Sequence, residues 1–343
     1  MWFAKGHGTE NDFVIIPDPD GEVDLTPGLV ARLCDRRAGL GADGVLHAVR
    51  MPGAPTGDRA PDRGSAPGPG SGTASGPGPR SGHGAGLPLE AGYDAGAAAA
   101  DGAEWFMDYR NADGSVAEMC GNGVRVFGRY LLEHRLVPGP EFTVATRAGT
   151  RLVRREPDGE ITVDMGQPQV LGTGRATLAG RPLRGLRVSL GNPHLACVVD
   201  RPLAEFDLSQ PPRTDGEEFP DGVNLELVRI VGPAHIAMLV HERGSGPTRS
   251  CGTGAVAAAV AAAAVAAAAA GPSPAPADPA AAGPSSAAAV PPGTWIVDVP
   301  GGRLRVTLDG RTSLLSGPAV IVAEGELDEA WLSGKPDQSS PAA

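Results

Sequence analysis

Cys120 and Cys251 stand in matching settings: "MCGNGVRVFGRYLLEH" and "SCGTGAVAAAVAAAAV" each carry Cys, Gly, a small polar residue and Gly, then a long segment without a helix breaker. The pattern predicts a helix starting just after each cysteine. A helix N-terminus exposes unpaired backbone N–H groups and the positive end of the macrodipole. Two consequences are expected there: the thiol pKa falls from about 8.5 toward neutrality, and the N–H groups hold a carboxylate. Gly121 and Gly252 keep side chains out of a ligand's way, while Asn122 and Thr253 supply polar contacts. If the two helix starts face each other across a cleft, a carboxylate held between them puts its α-carbon between two sulfurs. One thiolate then takes a proton from one face and the other thiol returns one to the opposite face, which inverts the centre.

Cys34 and Cys197 lack this flanking pattern and read as buried structural residues. A competing enzymatic reading, with one cysteine as nucleophile and His194 as base, leaves the second motif idle. Four cysteines without a CxxC or a His-rich spacing suggest neither a disulfide scaffold nor a metal site. A pyridoxal-phosphate enzyme needs a Schiff-base lysine, and the chain offers only Lys5 and, in a Ser/Pro-rich tail, Lys335. No cofactor is expected.

The elements that must position the two thiols are mostly short β-like runs, among them "DFVIIPD", "WFMDYRN", "ITVDMG", "NLELVRIVG", "IAMLVHERG" and "TWIVDVPGG", separated by Gly, Pro or Asp turns. Helices are predicted over 27–38, with Thr26 as N-cap, over 121–134 and over 252–270. Many strands around one principal helix per half imply an α+β fold of two similar halves, not a doubly wound parallel sheet. Both principal helices are poor in charge on most faces and belong inside. Residues 255–270, an uncharged Ala/Val run, read as a buried helix, since spanning helices are usually carried by Leu, Ile, Phe and Val.

Two segments, 52–103 and 271–292, are rich in Gly, Pro, Ala and Ser and are expected to be disordered insertions without a catalytic role. The first half is expected to span 1–165 and the second 166–314, with a final strand near 315–328 returning to the first half and a disordered tail over 329–343. With 343 residues, 41% hydrophobic content and a net charge of −11, the chain has material for a sizeable core and argues against nucleic acid or an anionic membrane as its main partner. The N-terminal stretch lacks the layout of a signal peptide, so a cytoplasmic location is expected.

Taken in order, "GHGTENDF", "RNADGSVAEMCGNGVRVFGRYL", "GNPH", "GVNLELV" and "HERGSGPTRSCGTG" resemble the diaminopimelate epimerase family across essentially the whole chain outside the two insertions and the tail. The resemblance implies a cofactor-independent epimerase that interconverts LL- and meso-2,6-diaminopimelate for lysine and peptidoglycan synthesis. It also implies strands wrapped around a central helix in each of two pseudo-symmetric domains, an active site between them, and a homodimer. By matching motifs, Cys120 and Cys251 are the acid/base pair. Asn11, Asn111, Asn192, Asn224 and Arg243 contact substrate, largely at its distal centre. Gly121, Asn122, Gly252 and Thr253 hold the reacting carboxylate, and Glu242, which accepts from an ammonium group, tunes the thiols together with His194. Gly44 stands where many relatives have Gln.

Two alternatives belong to other classes. A two-cysteine racemase acting on proline or hydroxyproline typically carries His where Asn122 stands, and the Asn/Arg set here fits a substrate with a second charged end. A non-catalytic binding protein of the same fold would be expected to lose one cysteine, and both are present.

Overall fold

The computed structural model describes residues 1–54, 98–99, 101–270 and 290–334. Eighteen strands are present among the described residues. The first seven are β1 (Trp2–Gly8), β2 (Asn11–Pro17), β3 (Gly44–Arg50), β4 (Trp105–Asn111), β5 (Glu141–Thr146), β6 (Gly149–Arg155) and β7 (Ile161–Gly166). Then follow β8 (Gln169–Leu178), β9 (Arg181–Ser189), β10 (Pro193–Val198), β11 (Arg213–Thr214), β12 (Asn224–Gly232), β13 (His235–Glu242) and β14 (Gly246–Thr248). The last are β15 (Gly293–Val299), β16 (Gly302–Leu308), β17 (Ser313–Gly317) and β18 (Val320–Glu326). Among the described residues the helices are α1 (Pro27–Cys34), α2 (Gly121–Glu133), α3 (Gly252–Ala270), the single turn α4 (Glu329–Leu332) and a 3-10 turn over Leu203–Glu205.

Strand pairing repeats. One ladder runs β18, β1, β2, β3, β4, β5, β6, β7, antiparallel throughout except for β2–β3 and β4–β5. The other runs β8, β9, β10, β12, β13, β15, β16, β17, antiparallel except for β10–β12 and β13–β15, at the same two places in the order. In both, a parallel pair needs a crossover connection; the principal helix supplies it, α2 between β4 and β5 and α3 between β13 and β15. The ladders join where their last strands, β7 and β17, pair antiparallel.

Each ladder curls around its helix. Val124, Val126, Phe127, Tyr130 and Leu131 of α2 are fully buried. On α3 every residue from Gly252 to Ala263 is buried. A helix enclosed on all sides cannot show a polar face, and alanine lets strands come close from every direction. By length and composition α3 could cross a membrane, but its first three turns are the core of the second ladder.

Three expectations about extent need correction. The first helix stops at Cys34, not near residue 38, because the Asp35 carboxylate accepts from Arg37 N and Ala38 N at 2.7 Å and turns the chain; Thr26 caps its start as expected. The tail is ordered as far as Gly334: Asp328 caps α4, and Trp331 lies under the Arg32 guanidinium with its indole N–H on Ala38 O. Residues 335–343 lie outside the described residues. Of the insertion placed at 52–103, Ala98 and Ala103 are packed against Met51, Phe106 and Ala145, so the low-complexity composition extends past the start of packed chain. Residues 55–97, 100 and 271–289 fall outside the described residues.

Candidate active site

Both cysteines act as helix caps. Cys120, extended at φ −135° and ψ 116°, is the N-cap of α2, and its sulfur accepts from Gly123 N at 3.5 Å. Cys251 does the same for α3, accepting from Gly254 N at 3.4 Å, while its carbonyl accepts from Ala255 N. Sulfur here takes the place that a Ser or Thr oxygen usually has. The two helix starts touch: a Cβ on Gly252 would lie 3.1 Å from Gly121 Cα and 3.1 Å from Leu315 of β17, and one on Gly121 would meet Met165 of β7 at 2.7 Å. A hydrogen-bond stitch runs alongside, from Asn122 Nδ2 to Ser250 O at 3.0 Å and from Thr9 to Ser250 between hydroxyls at 2.6 Å.

Gly252→Ala therefore inserts a methyl against backbone, which cannot give way as a side chain can. It is expected to cost about 1–3 kcal/mol, read as a lower denaturant midpoint with unchanged m-value.

A cleft of about 860 Å³ opens at this junction, lined by both thiols and by every other residue singled out from the sequence except His194. Asn11, at the start of β2, accepts from the Cys120 thiol at 3.8 Å and from Asn122 Nδ2 at 3.1 Å, and donates to Asp43 at 2.7 Å. Asn111 ends β4 and bonds Ser115 Oγ at 3.0 Å. Asn224 opens β12, donating to Pro193 O and accepting from Arg243 N at 2.9 Å, which fixes the turn that presents the Arg243 side chain. Thr253 Oγ1 lies 3.5 Å from the Cys251 sulfur and accepts from Asn192 Nδ2 at 3.3 Å.

The thiols do not sit near neutrality. Burial pushes Cys120 up to about 11; the Gly123 N–H draws it back, and the Glu242 carboxylate adds to the rise. Cys251 is raised as well, by burial first and then by Glu242 and Glu226. Two helix N-termini are thus outweighed by desolvation, which a reading of local sequence does not register. Glu242 accepts from Thr248 and lies within reach of the Cys251 thiol; burial raises its own pKa.

His194 is buried behind the cleft wall and reaches Cys251 only through Asn192 and Thr253. Three residues that the motifs did not single out complete the picture. Glu226, fully buried, bonds His194 at 2.7 Å. Its signal was faint: a charged residue two positions after Asn224 on a strand, hence on the same face. Asp43 anchors Asn11. Tyr109 lines the cleft with its ring edge 2.7 Å from where a Gly44 Cβ would be, so the space beside residue 44 is filled by Tyr109.

Among the described residues no group of three or more His, Cys, Asp or Glu is arranged to hold a metal ion. The family model for diaminopimelate epimerase matches residues 95–171 and 186–273. The diaminopimelate epimerase of Thermobifida fusca is 52% identical over 95% of this chain and 98% of its own length. That of Streptomyces coelicolor is 46% identical over 97% of each. Among solved structures, a phenazine biosynthesis protein of Bacillus anthracis superposes with a TM-score of 0.51 at 14% identity, covering 95% of this chain and 98% of that one. A hydroxyproline epimerase of Agrobacterium vitis does so at 0.50 and 12%, covering 95% and 91%. At these identities the two solved structures share the fold alone. On the strength of its full-length relatives, the chain belongs to the diaminopimelate epimerase family.

Proposed function

We propose that this chain epimerises LL-2,6-diaminopimelate to the meso isomer with its two thiols and no cofactor. The observation that carries this is the pair of cysteine-capped helix starts abutting at Gly121 and Gly252 in one cleft. The reacting carboxylate takes the free N–H groups of both helix starts, which hold it and stabilise the negative charge that spreads onto it as the α-proton leaves. One sulfur, as thiolate, removes that proton; the other, as thiol, delivers its own to the opposite face, and the two sulfurs end with exchanged protonation. Asn11, Asn111, Asn192, Asn224 and Arg243 are assigned to the substrate's distal, zwitterionic end, where amides offer both donors and acceptors and Arg pairs with carboxylate.

A thiolate must form from thiols whose pKa values burial raises. Glu242 raises both of them, and a substrate ammonium beside Glu242 offsets that charge. Binding thus lowers the cost of the thiolate when it is needed.

The first half is assigned residues 1–165 with β18, and the second half the strands β8 to β17. A homodimer working in the cytoplasm, in the pathway to lysine and peptidoglycan, completes the reading.

The test is incubation of reduced protein with LL-diaminopimelate in deuterated water, without metal or pyridoxal phosphate. Deuterium is expected at the α-carbon together with meso product; absence of exchange with every diaminopimelate isomer would sink the reading.

A further inference from the structure

Glu226 is a carboxyl sealed in the protein with no part in the reaction as described. It is fully buried, as is the His194 side chain that it contacts. Its Oε1 lies 2.7 Å from His194 Nδ1, and its Oε2 is buried without a hydrogen-bond partner. From this pair a single line of contacts leads to a reacting sulfur. His194 Nε2 meets Asn192 Oδ1 at 3.0 Å, Asn192 Nδ2 donates to Thr253 Oγ1 at 3.3 Å, and Thr253 Oγ1 lies 3.5 Å from Cys251 Sγ.

The line has a direction. Asn192 spends its amide N–H on Thr253, so its oxygen is what faces the imidazole, and His194 Nε2 must carry a proton to donate there. Thr253, whose oxygen accepts from Asn192, has its O–H left for the sulfur of Cys251. At the other end, Nδ1 and Oε1 at 2.7 Å need a proton between them, since two lone pairs at that distance repel. With Nε2 already protonated, that proton is an additional one: the pair is either imidazole with carboxylic acid or imidazolium with carboxylate, and in both forms its net charge is zero. The bare Oε2 fits the carboxylic acid, because an ionised oxygen at no exposure and without a donor is costly.

We propose that Glu226 is a positioning residue for the epimerisation: it holds one proton against His194 Nδ1 and thereby orients every donor from His194 through Asn192 and Thr253 toward the sulfur of Cys251, supporting that sulfur as thiolate. If the pair lost its proton, Nδ1–H would point at the carboxylate, Asn192 would turn over, and Thr253 would donate to Asn192, leaving its oxygen to accept from the Cys251 thiol. The two directions thus favour opposite states of Cys251. Burial also raises the Glu226 pKa, to about 7, which works in the same sense. A neutral pair leaves Glu242 as the carboxylate whose charge Cys251 feels. Gly254 permits the arrangement, since a Cβ there would lie 2.8 Å from Glu226 Oε1.

The inference rests on the two-thiol reading above, and the test separates the two. Glu226→Gln offers an amide N–H to Nδ1 and preserves the direction without a titrating group; Glu226→Leu offers nothing. In the diaminopimelate assay, E226Q is expected to stay within about threefold of the unaltered protein. E226L is expected to lose roughly 10–100-fold in kcat, as loss of the carboxylate behind a metal-bound histidine does, with KM little changed. Nitrogen NMR of labelled imidazoles, with His194 identified by its loss in His194→Gln, is expected to show Nε2 protonated in both the unaltered protein and E226Q. A bare Nε2 with Nδ1–H in the unaltered protein, or an E226Q defect as large as that of E226L, would overturn the proposal. An inactive unaltered protein counts against the two-thiol reading alone, because the NMR result still decides the direction. Should E226L fail to fold, E226Q and the spectra suffice.

Discussion

Cys120→Ala and Cys251→Ala are each expected to abolish epimerisation, lowering turnover at least about 10²–10⁴-fold, the share that a positioned acid or base commands. The reason is the geometry of opposed faces: with one sulfur gone, the remaining thiolate can take a proton from one face only and has no partner to return it to the other. Each variant is therefore expected to wash deuterium into just one stereoisomer, with retention, and the two variants should prefer opposite isomers. The sulfurs of Cys120 and Cys251 each accept the capping hydrogen bond of a buried helix, so both variants also lose some stability. Circular dichroism and a denaturant melt establish that the fold persists. Epimerisation at the unaltered rate by either variant would rule the two-thiol mechanism out.

Mild oxidation is the second large effect. Both sulfurs cap helices whose starts touch at Gly121 and Gly252; Cys34 lines the same cleft but belongs to an apolar cluster beside α1, and Cys197 is buried in another. Oxidant is expected to inactivate the protein fully through a Cys120–Cys251 disulfide, reversibly on adding a thiol reductant. Raised pKa values slow thiolate-dependent exchange, so the reaction should quicken as pH rises toward the Cys120 value. Bound substrate should protect by standing between the sulfurs. Peptide mapping with and without diaminopimelate reads both outcomes; a bond to Cys34 or Cys197, or no protection, contradicts the facing arrangement.

What could be read from the sequence was whatever depends on a few neighbouring residues. A cap followed by Gly-polar-Gly is a local requirement, and it located both helix starts and the cleft. Repetition of the motif foreshadowed the repeat of parallel and antiparallel pairs. The end of α1 escaped notice because Asp35 stops it by a side-chain turn within an otherwise helical "RLCDRRA". The thiol pKa values could not be had from local pattern at all: the helix N-terminus is written in the sequence, whereas the burial that outweighs it comes from a core cluster drawn from both halves of the chain, to which Cys251 belongs and against which Cys120 packs. Glu226 was hidden for the same reason, since a strand glutamate reads as solvent-facing until its neighbours are known.

The bare contact between Gly121 and Gly252 also governs how the protein can move. Any turning of one half against the other has its fulcrum there, because the helix starts meet without side chains to slide over, and the Thr9–Ser250 and Asn122–Ser250 bonds pin the same spot. Asn111 and Arg243 line the same cleft as the two sulfurs that cap the touching helices. Each reacting cysteine immediately precedes one of the touching glycines, so the joint between the halves and the placement of the thiols are one and the same feature.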